Sequence, residues 1–189
     1  YRPTVIISIN KAMSRKQRDQ ILYMESIMKK TLMVIAASSM LAAPVMAEEA
    51  KIGIILGFTG PIESLTPDMA SGAEMAIAEA NASGNFMKGM NITSVRADST
   101  CVDAAAATAA AERLITSDKV DGIMGADCSG VTTAILQNVA MANGVSMISP
   151  SATSPALSTI EDNGLFFRTA PSDARQGQVV AEILIDRGF

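Results

Sequence analysis

The segment KIGIILGF, from Lys51 to Phe58, is a short and almost uninterrupted run of apolar residues. A strand with one solvated face would alternate apolar and polar side chains, whereas this run presents apolar side chains to both of its faces. Strands that are buried on both faces occur in parallel sheets covered by helices. The segment therefore predicts a strand that is covered on both faces in a parallel sheet, and a helix is expected to follow it.

Helix and strand patterns alternate along the chain after this segment. Asp68 is expected to cap the first helix, and the segment 81–85 to end it. Further strands are predicted at 91–97, 120–124, 145–148 and 165–168, and further helices at 103–116, 131–143 and 173–186. This order predicts an α/β fold, a parallel sheet with helices on both faces, in which ligands bind beyond the carboxyl ends of the strands.

The last predicted helix carries signals at both of its ends. Asp173 with Gln176 fits a capping box at the start, and Gly188 fits a helix stop. Phe189 would then open another strand, and the chain begins with Tyr1 instead of methionine. We therefore expect the sequence to be a fragment of a longer protein.

The composition predicts a chain that folds, and it excludes several classes of enzyme. Of the 189 residues, 49% are hydrophobic and 18% are charged, which provides enough apolar material for a packed core. The sequence has no histidine, which excludes serine–histidine and cysteine–histidine catalysis within it. It also lacks a glycine-rich nucleotide loop after the first strand and a GxSxG elbow. No catalytic residue, metal ligand or cofactor is therefore predicted.

Charge divides the chain at Ala47. Residues 1–47 carry a net charge of +5, whereas residues 48–189 carry −9. The acidic part has only five aromatic residues and no basic stripe, which is a poor match for a phosphate backbone. Nucleic acid is therefore excluded as an expected partner.

The basic part contains the pattern of a secretory signal peptide at residues 28–47. Met28-Lys29-Lys30 is followed by an apolar run from Thr31 to Ala43, then by Pro44 and the small-residue end Val45-Met46-Ala47. The apolar run is shorter than the roughly 20 residues that span a bilayer, although a retained anchor helix remains an alternative. Cleavage is predicted after Ala47, which would release residues 48–189 into the periplasm. Residues 1–27 are interpreted as an upstream extension that is absent from the mature protein.

The two cysteines, Cys101 and Cys128, both lie in the exported part and both follow predicted strands at the same edge of the sheet. An oxidising compartment favours a disulfide between them. The alternative is a reactive thiol, but neither cysteine lies in a CxxC motif and the sequence contains no histidine that could activate one.

Hydroxyl side chains are concentrated at the same edge. Ser129 opens a predicted helix, where free backbone N–H groups favour an anion such as a carboxylate. The segment 149–155, SPSATSP, follows the next strand and adds further hydroxyls. Together they could hold a zwitterion, or Ser129 could be only a helix cap and the segment only a polar connection.

Four blocks of the mature segment carry a resemblance to a known family. They are GFTGP at 57–61, the cysteine pair, ISPSATSP at 148–155, and Arg168-Thr169 followed by Asp173 and Gln176-Gly177. In order and spacing, the mature segment resembles the periplasmic branched-chain amino-acid-binding proteins, the type I solute receptors of ABC importers. This resemblance implies a two-lobed protein, with residues 48–189 forming the N-terminal lobe of a type I periplasmic binding protein that is truncated before the second lobe.

The resemblance also implies roles for individual residues. The ligand carboxylate and amine would be held by Ser129 and Thr153, and the backbone carbonyl of Ser151 would accept from the amine, with Ala152 between them. Leu65 stands about where family members often have an aromatic residue against the ligand side chain. It would supply apolar contact without a stacking face, which leaves the identity of the ligand open.

The paired cysteines carry over from the family as a disulfide between Cys101 and Cys128, beside the ligand. The function implied is that of a monomeric periplasmic receptor, not an enzyme, that closes on an amino acid of branched-chain type and delivers it to an ABC permease. Two alternatives stay open: a sensing receptor of the same fold for amides, urea-like or other small solutes, and an exported α/β enzyme.

Overall fold

A computed structural model describes residues 15–16, 19–20, 22–26, 28 and 49–189. The described residues before 49 are helical and exposed, and they belong to a different unit from Ala47–Phe189. Apart from those few positions, the predicted extension at 1–27 and signal peptide at 28–47 lie outside the described residues. Within the part of the chain that is described, no helix is long and apolar enough to cross a membrane.

The unit from Ala47 to Phe189 is built on a parallel sheet of five strands in the order β2-β1-β3-β4-β5. The strands are β1 (Glu49–Leu56), β2 (Asn91–Asp98), β3 (Gly122–Gly125), β4 (Ser146–Ser149) and β5 (Phe166–Arg168). The predicted strands are confirmed, with ends that shift by no more than two residues. The apolar run that begins at Lys51 forms most of β1, which pairs with β2 on one side and with β3 on the other.

Helices connect the strands in the predicted order. They are α1 (Thr66–Ser83), α2 (Ala104–Thr116), α3 (Ser129–Ile135) and α4 (Asp173–Asp186). Helix α3 continues through a π-helical segment (Leu136–Ala140) into a last turn (Met141–Asn143), and short 3-10 helices occupy Phe86–Lys88 and Pro155–Ser158. Each predicted helix is confirmed.

Two predicted helix caps are wrong. Helix α1 begins at Thr66 and carries Pro67 in its first turn, so Asp68 lies inside the helix. Proline suits this place because its fixed φ is already helical and the N–H that it lacks would have no partner there. Helix α4 is capped by Ser172, whose hydroxyl accepts a hydrogen bond from a backbone N–H of the first turn. Asp173 is therefore the first residue of α4 and not its cap.

The larger core lies between one face of the sheet and helices α2 and α3. Ala107 and Ala111 are fully buried, and these small side chains let α2 lie close to the sheet. Gly53 serves the same purpose in β1, since a Cβ there would come within 2.9 Å of Leu114 Cδ1. The large buried side chains of this core include Ile55, Ile123, Ile135, Leu136, Val139 and Met147. Each large aliphatic side chain contributes about 1.5–3 kcal/mol by leaving water.

The opposite face of the sheet is covered in part by α1. Ile54 and Leu56 point to this face and are fully buried, with Ala70 of α1 packed against them. On the same face of β4 and β5, Ile148 and Phe167 are 44% and 56% exposed. Helices therefore cover both faces as predicted, and α1 covers the middle of the sheet more fully than its β5 edge.

Strands β1 and β3 come unusually close at Gly125. Gly125 is paired with Ile55 and has a φ of 131°, which side-chain-bearing residues rarely adopt. A Cβ at this position would overlap the carbonyl oxygen of Ile55. The approach of the two strands therefore requires glycine at residue 125.

Substitution of Gly125 by alanine tests this close approach. Gly125→Ala should lower the free energy of unfolding by more than about 2 kcal/mol, because overpacking adds to the strain of a positive φ. Urea unfolding followed by circular dichroism measures the change. The matched control is Gly72→Ala in α1, where a Cβ meets nothing within 4 Å, and where a gain of about 0.5–1 kcal/mol is expected. Equal stability of the two variants would contradict the prediction.

Candidate functional site

The loops that follow β1, β2, β3 and β4 meet at the carboxyl edge of the sheet. The chain leaves β1 to form β2 on one side of it and later returns to form β3 on the other side. Loops that diverge in this way open a crevice at the strand ends, which is where α/β sheets bind ligands. The predicted site residues Ser129, Ser151, Ala152 and Thr153 all lie on loops or helix starts at this edge.

A disulfide joins Cys101 to Cys128, as predicted, with 5.2 Å between their Cα atoms. It links the loop after β2 to the residue that precedes α3, across the end of β1. Both cysteines of the sequence are used in this bond. The alternative interpretation, a reactive thiol, is therefore wrong.

Asp127 is a buried carboxylate at the centre of this edge, with only 2% of its surface exposed. Its Oδ2 accepts a hydrogen bond from the Gly57 N–H at 2.8 Å. Its Oδ1 accepts from the Ser99 hydroxyl at 3.2 Å and from the Cys128 N–H at 3.0 Å. These donors follow β1, β2 and β3 in turn, so one carboxylate fastens three strand ends together. The sequence analysis missed Asp127, although an acid two residues after the end of a strand was a visible signal.

Asp98, the last residue of β2, also fixes the loop after β1. Its carboxylate accepts from the Thr59 hydroxyl at 2.6 Å and from the Thr100 N–H at 2.8 Å. Partial burial alone would raise the pKa of Asp98, but the hydrogen bonds from Thr59, Thr100 and the Phe58 N–H outweigh it and hold that pKa below its usual value. The loop is therefore fixed by an ionised side chain.

Arg96 of β2 braces the start of the same loop. It donates to both carboxylate oxygens of Glu74 on α1, at 2.6 and 2.7 Å, and its guanidinium lies 5.5 Å from the centre of the Phe58 ring. The hydrogen bond from Arg96 lowers the pKa of Glu74. Both side chains are largely exposed, so this ion pair contributes less than about 1 kcal/mol to the free energy of unfolding. Its main effect is to orient the Arg96 side chain beside Phe58.

Ser129 is the first residue of α3, and it does not cap the helix. The N-cap position belongs to Cys128, and no side chain caps the helix there. The Ser129 hydroxyl instead accepts a hydrogen bond from the Ser154 N–H at 3.1 Å, which ties α3 to the segment 149–155. The interpretation of Ser129 as only a cap is therefore wrong, and its hydroxyl hydrogen remains available for donation.

Hydrogen bonds to residues 126, 127 and 168 hold the segment 149–155 in place. The fully buried Ser149 hydroxyl donates to the Ala126 carbonyl and accepts from the Ala152 N–H. The Ser151 hydroxyl donates to the Asp127 carbonyl at 3.1 Å. Arg168 donates to the carbonyl oxygens that flank Thr153, those of residues 152 and 154. These bonds fix the direction of the segment's remaining polar groups.

Thr153 is bonded to the start of α4. Its hydroxyl donates to Asp173 Oδ2 at 2.9 Å, and its carbonyl accepts from the Asp173 N–H at 3.0 Å. With its hydrogen used in this way, the Thr153 hydroxyl can serve a ligand only as an acceptor.

The edge leaves a defined set of groups without a protein partner among the described residues. The donors are the backbone N–H groups of Ser129, Gly130 and Thr153 and the Ser129 hydroxyl. The acceptors are the Ser151 carbonyl and the Thr153 hydroxyl oxygen. Donors suit a carboxylate and acceptors suit an ammonium group, so these positions can hold the two charged groups of a zwitterion.

Leu65 lies apart from this set. It precedes α1 on the loop after β1, and 58% of its surface is exposed. No hydrogen bond between described residues links that loop directly to Ser129 or Thr153. The structure thus brings together Ser129, Ser151, Ala152 and Thr153, and places Leu65 on a different loop, the one that follows β1.

A family profile described as "Periplasmic binding protein" matches residues 49–189, which is the whole of the sheet and its helices. The chain belongs to the periplasmic binding protein family.

Curated relatives of this periplasmic binding protein are named for branched-chain amino acids. The Leu/Ile/Val/Thr-binding protein of Salmonella typhimurium is 30% identical over 158 residues, which cover 84% of this chain and 42% of the relative. The Leu/Ile/Val-binding protein of Escherichia coli is 30% identical over 142 residues, which cover 75% of this chain and 37% of the relative. The chain therefore spans about two fifths of the length of these relatives.

Solved structures confirm the fold of this periplasmic binding protein as that of type I. A branched-chain amino-acid-binding protein of Streptococcus pneumoniae, solved with isoleucine, aligns with a TM-score of 0.59 and 31% identity over 67% of this chain and 35% of that one. An ABC transporter substrate-binding protein of Desulfitobacterium hafniense, solved with leucine, aligns with a TM-score of 0.62 and 28% identity. The alignment covers 75% of this chain and 40% of that one. A solute-binding protein of Rhodopseudomonas palustris, solved with benzoate, aligns with a TM-score of 0.65 and 25% identity. The alignment covers 74% of this chain and 38% of that one.

Replacing the buried carboxylate of this periplasmic binding protein tests its structural role. In Asp127→Asn, the amide NH2 would face an N–H donor, and leaving a buried group unpaired costs about 1–3 kcal/mol. We expect urea unfolding to report a loss of that size. The control Asp68→Asn changes an exposed carboxylate in the first turn of α1 and should cost less than about 1 kcal/mol. Similar losses in both variants would refute the role of Asp127.

The lowered pKa of Asp98 predicts a dependence of stability on pH. A carboxyl whose pKa is lower in the folded state stabilises fully above its unfolded value of about 3.9, and this stabilisation is lost as the pH falls through the folded pKa. Asp98→Asn should therefore be less stable than wild type at pH 7 and at pH 5, with a gap that narrows by pH 3. Urea unfolding at the three values measures the gap. A constant gap would contradict the prediction, and the exposed control Glu161→Gln should show no such narrowing.

Proposed function

We propose that residues 48–189 form the N-terminal lobe of a periplasmic receptor that binds an amino acid for an ABC importer. The observation that carries this proposal is the set of unpartnered groups at the carboxyl edge of the sheet. The donors on Ser129 and Gly130 belong to the start of α3, and the acceptors on Ser151 and Thr153 belong to the segment 149–155, which the Ser154–Ser129 hydrogen bond joins to α3 at 3.1 Å. An α-amino acid carries a carboxylate for the donors and an ammonium group for the acceptors.

The carboxylate of the ligand is assigned to the start of α3. The Ser129 hydroxyl and the N–H groups of Ser129 and Gly130 are donors at the positive end of the helix dipole. The π-helical segment and the last turn extend this helix well beyond its first seven residues. The Thr153 N–H adds a donor from the facing segment.

The ammonium group of the ligand is assigned to the facing segment. The Ser151 carbonyl and the Thr153 hydroxyl oxygen both lack a donor among the described residues, and an ammonium group supplies up to three hydrogens. Ala152, which is fully buried, lies between the two acceptor residues, Ser151 and Thr153, in the chain.

The side chain of the ligand is assigned to the region of Leu65. An exposed leucine in the loop after β1 gives apolar contact and suits an aliphatic side chain. Leucine, isoleucine and valine are therefore the leading ligands. The names of the relatives from Salmonella typhimurium and Escherichia coli support this choice.

The wider assignment concerns the whole receptor. Residues 28–47 would act as a signal peptide, with cleavage after Ala47, and the mature monomer would close its first lobe against a second one around the ligand. It would then deliver the ligand to an ABC permease and catalyse no reaction. The family and the disulfide, which is typical of exported proteins, support this assignment.

A second candidate ligand is a carboxylic acid without an amine. The solved relative from Rhodopseudomonas palustris holds benzoate, which has a carboxylate alone. Such a ligand would use the donors at the start of α3 and leave the acceptors of Ser151 and Thr153 unpaired, which costs binding free energy. The amino-acid assignment uses both halves of the site and is preferred for that reason.

Ligand binding tests the proposal on the longest natural chain that contains residues 48–189. A branched-chain amino acid at 100 times its dissociation constant should stabilise the protein by about 2.7 kcal/mol in thermal unfolding. Ser129→Ala and Thr153→Ala should each weaken binding by about tenfold to a hundredfold, since a hydrogen bond to a charged group is worth about 1.5–3 kcal/mol. The control Thr159→Ala removes an exposed hydroxyl from a neighbouring turn and should leave binding unchanged. Stabilisation by benzoate but by no amino acid would support the second candidate instead.

A further inference from the structure

Arg168, the half-buried last residue of β5, directs its guanidinium at the segment 149–155. Its Nη1 donates to the Ala152 carbonyl at 3.1 Å and to the Ser154 carbonyl at 2.8 Å, and its Nη2 donates to the Ser158 hydroxyl. The Ala152 carbonyl belongs to the peptide group whose N–H is that of Thr153. Arg168 therefore holds the peptide group that supplies one of the donors left for a ligand.

The direction of the Thr153 N–H follows from the direction of the Ala152 carbonyl. The peptide bond between these residues is trans, so its C=O and its N–H point in opposite directions within one rigid plane. A hydrogen bond from Arg168 to the carbonyl thus turns the N–H away from Arg168. No described residue accepts from this N–H, which leaves it as a donor for a ligand.

The positive charge of Arg168 acts through the same peptide group. Arg168 is in none of the ion pairs formed within the described part of the chain. Those pairs join Arg96 to Glu74, Arg113 to Asp118 and Arg175 to Glu182. A hydrogen bond from a cation to a carbonyl oxygen is stronger than one from a neutral donor, and it polarises the peptide so that the opposite N–H becomes a better donor.

Anchoring of the segment does not account for this arginine. Two hydroxyls, those of Ser149 and Ser151, already tie the segment to carbonyl oxygens directly after β3. Neither of these bonds reaches the Ala152 carbonyl. Among the described residues, Arg168 alone donates to that oxygen.

We propose that Arg168 is a positioning residue for the carboxylate of the ligand, and that it acts through the Ala152–Thr153 peptide group without touching the ligand. This inference rests on the proposed function and names the cation that favours an anionic group at the Thr153 N–H. The guanidinium aims this N–H, polarises it and adds Coulomb attraction across the peptide. A ligand with a neutral amide in place of the carboxylate gains little from Arg168.

Two ligands that differ in this one group test the proposal. L-leucine and L-leucinamide share a side chain and an ammonium group, but the amide carries no negative charge. Isothermal titration calorimetry on the longest natural chain containing residues 48–189 gives the dissociation constant of leucine, and displacement of leucine gives that of leucinamide. Arg168→Gln should weaken leucine binding at least about tenfold, as expected for a weakened hydrogen bond to a charged group, and leucinamide binding less than about threefold.

Further variants separate this role from a purely structural one. Arg168→Lys keeps the positive charge and a donor for the carbonyl, so it should recover most of the lost leucine affinity. Arg187→Gln removes an exposed arginine beyond α4 and should change neither constant. Arg168→Met, which keeps a long side chain without the charge, repeats the test if the glutamine variant does not fold.

The ratio of the two dissociation constants decides the outcome. Equal weakening of both ligands in Arg168→Gln, or unchanged leucine binding, would overturn the proposal, because a loosened segment affects both ligands alike. If leucinamide does not displace leucine from wild type, the lysine variant decides. Leucine binding as weak in Arg168→Lys as in Arg168→Gln would then overturn the proposal.

The wild-type protein separates failure of this inference from failure of the proposed function. If wild type binds leucine and the Arg168 variants bind it equally well, only the role of Arg168 is refuted. If wild type binds benzoate but no amino acid, the proposed ligand is wrong, and benzoate with benzamide then tests Arg168 in the same way. If wild type binds neither a branched-chain amino acid nor benzoate, both proposals are refuted.

Discussion

The hydrogen bonds to the buried carboxylate of Asp127 are the constraint on which the binding edge depends. Parallel strands bring their carboxyl ends to one edge, where the loops that follow must leave in different directions and still have their polar groups paired. Asp127 meets this need by accepting from groups that follow β1, β2 and β3. The disulfide between Cys101 and Cys128 joins two of the same loops covalently. The position of Ser129, one residue after Cys128, is thus fixed by both.

A second layer of hydrogen bonds builds the ligand site on that base. Ser149 and Ser151 anchor their segment to carbonyl oxygens directly after β3, and Arg168 holds it from the side of β5. Because these polar groups are already used, those left over are few and their directions are set. A site whose groups are ordered before the ligand arrives loses little conformational entropy on binding. This preorganisation links the arrangement of the sheet to the proposed recognition of a small zwitterion.

Much of the architecture could be predicted from sequence, because the apolar runs and helical periodicities are strong local signals. The strand that begins near Lys51 and the pairing of Cys101 with Cys128 are examples that the structure confirms. Side-chain partners were harder to predict. Asp173 was interpreted as a cap because local spacing fits one, but the fold brings Thr153 to it from 20 residues away. Asp127 was overlooked because its donors come from three separate loops.

The position of Leu65 has a consequence for how specificity can diverge. The groups assigned to the charged ends of the ligand are held by hydrogen bonds around Asp127, whereas Leu65 lies further along the loop after β1, with 58% of its surface exposed. Under the proposed assignment, a change at residue 65 would alter the surface offered to the ligand side chain and leave the buried carboxylate and the disulfide in place. In the proposed receptor, a change of cargo therefore requires variation in only one surface loop, at little risk to the folding of the lobe.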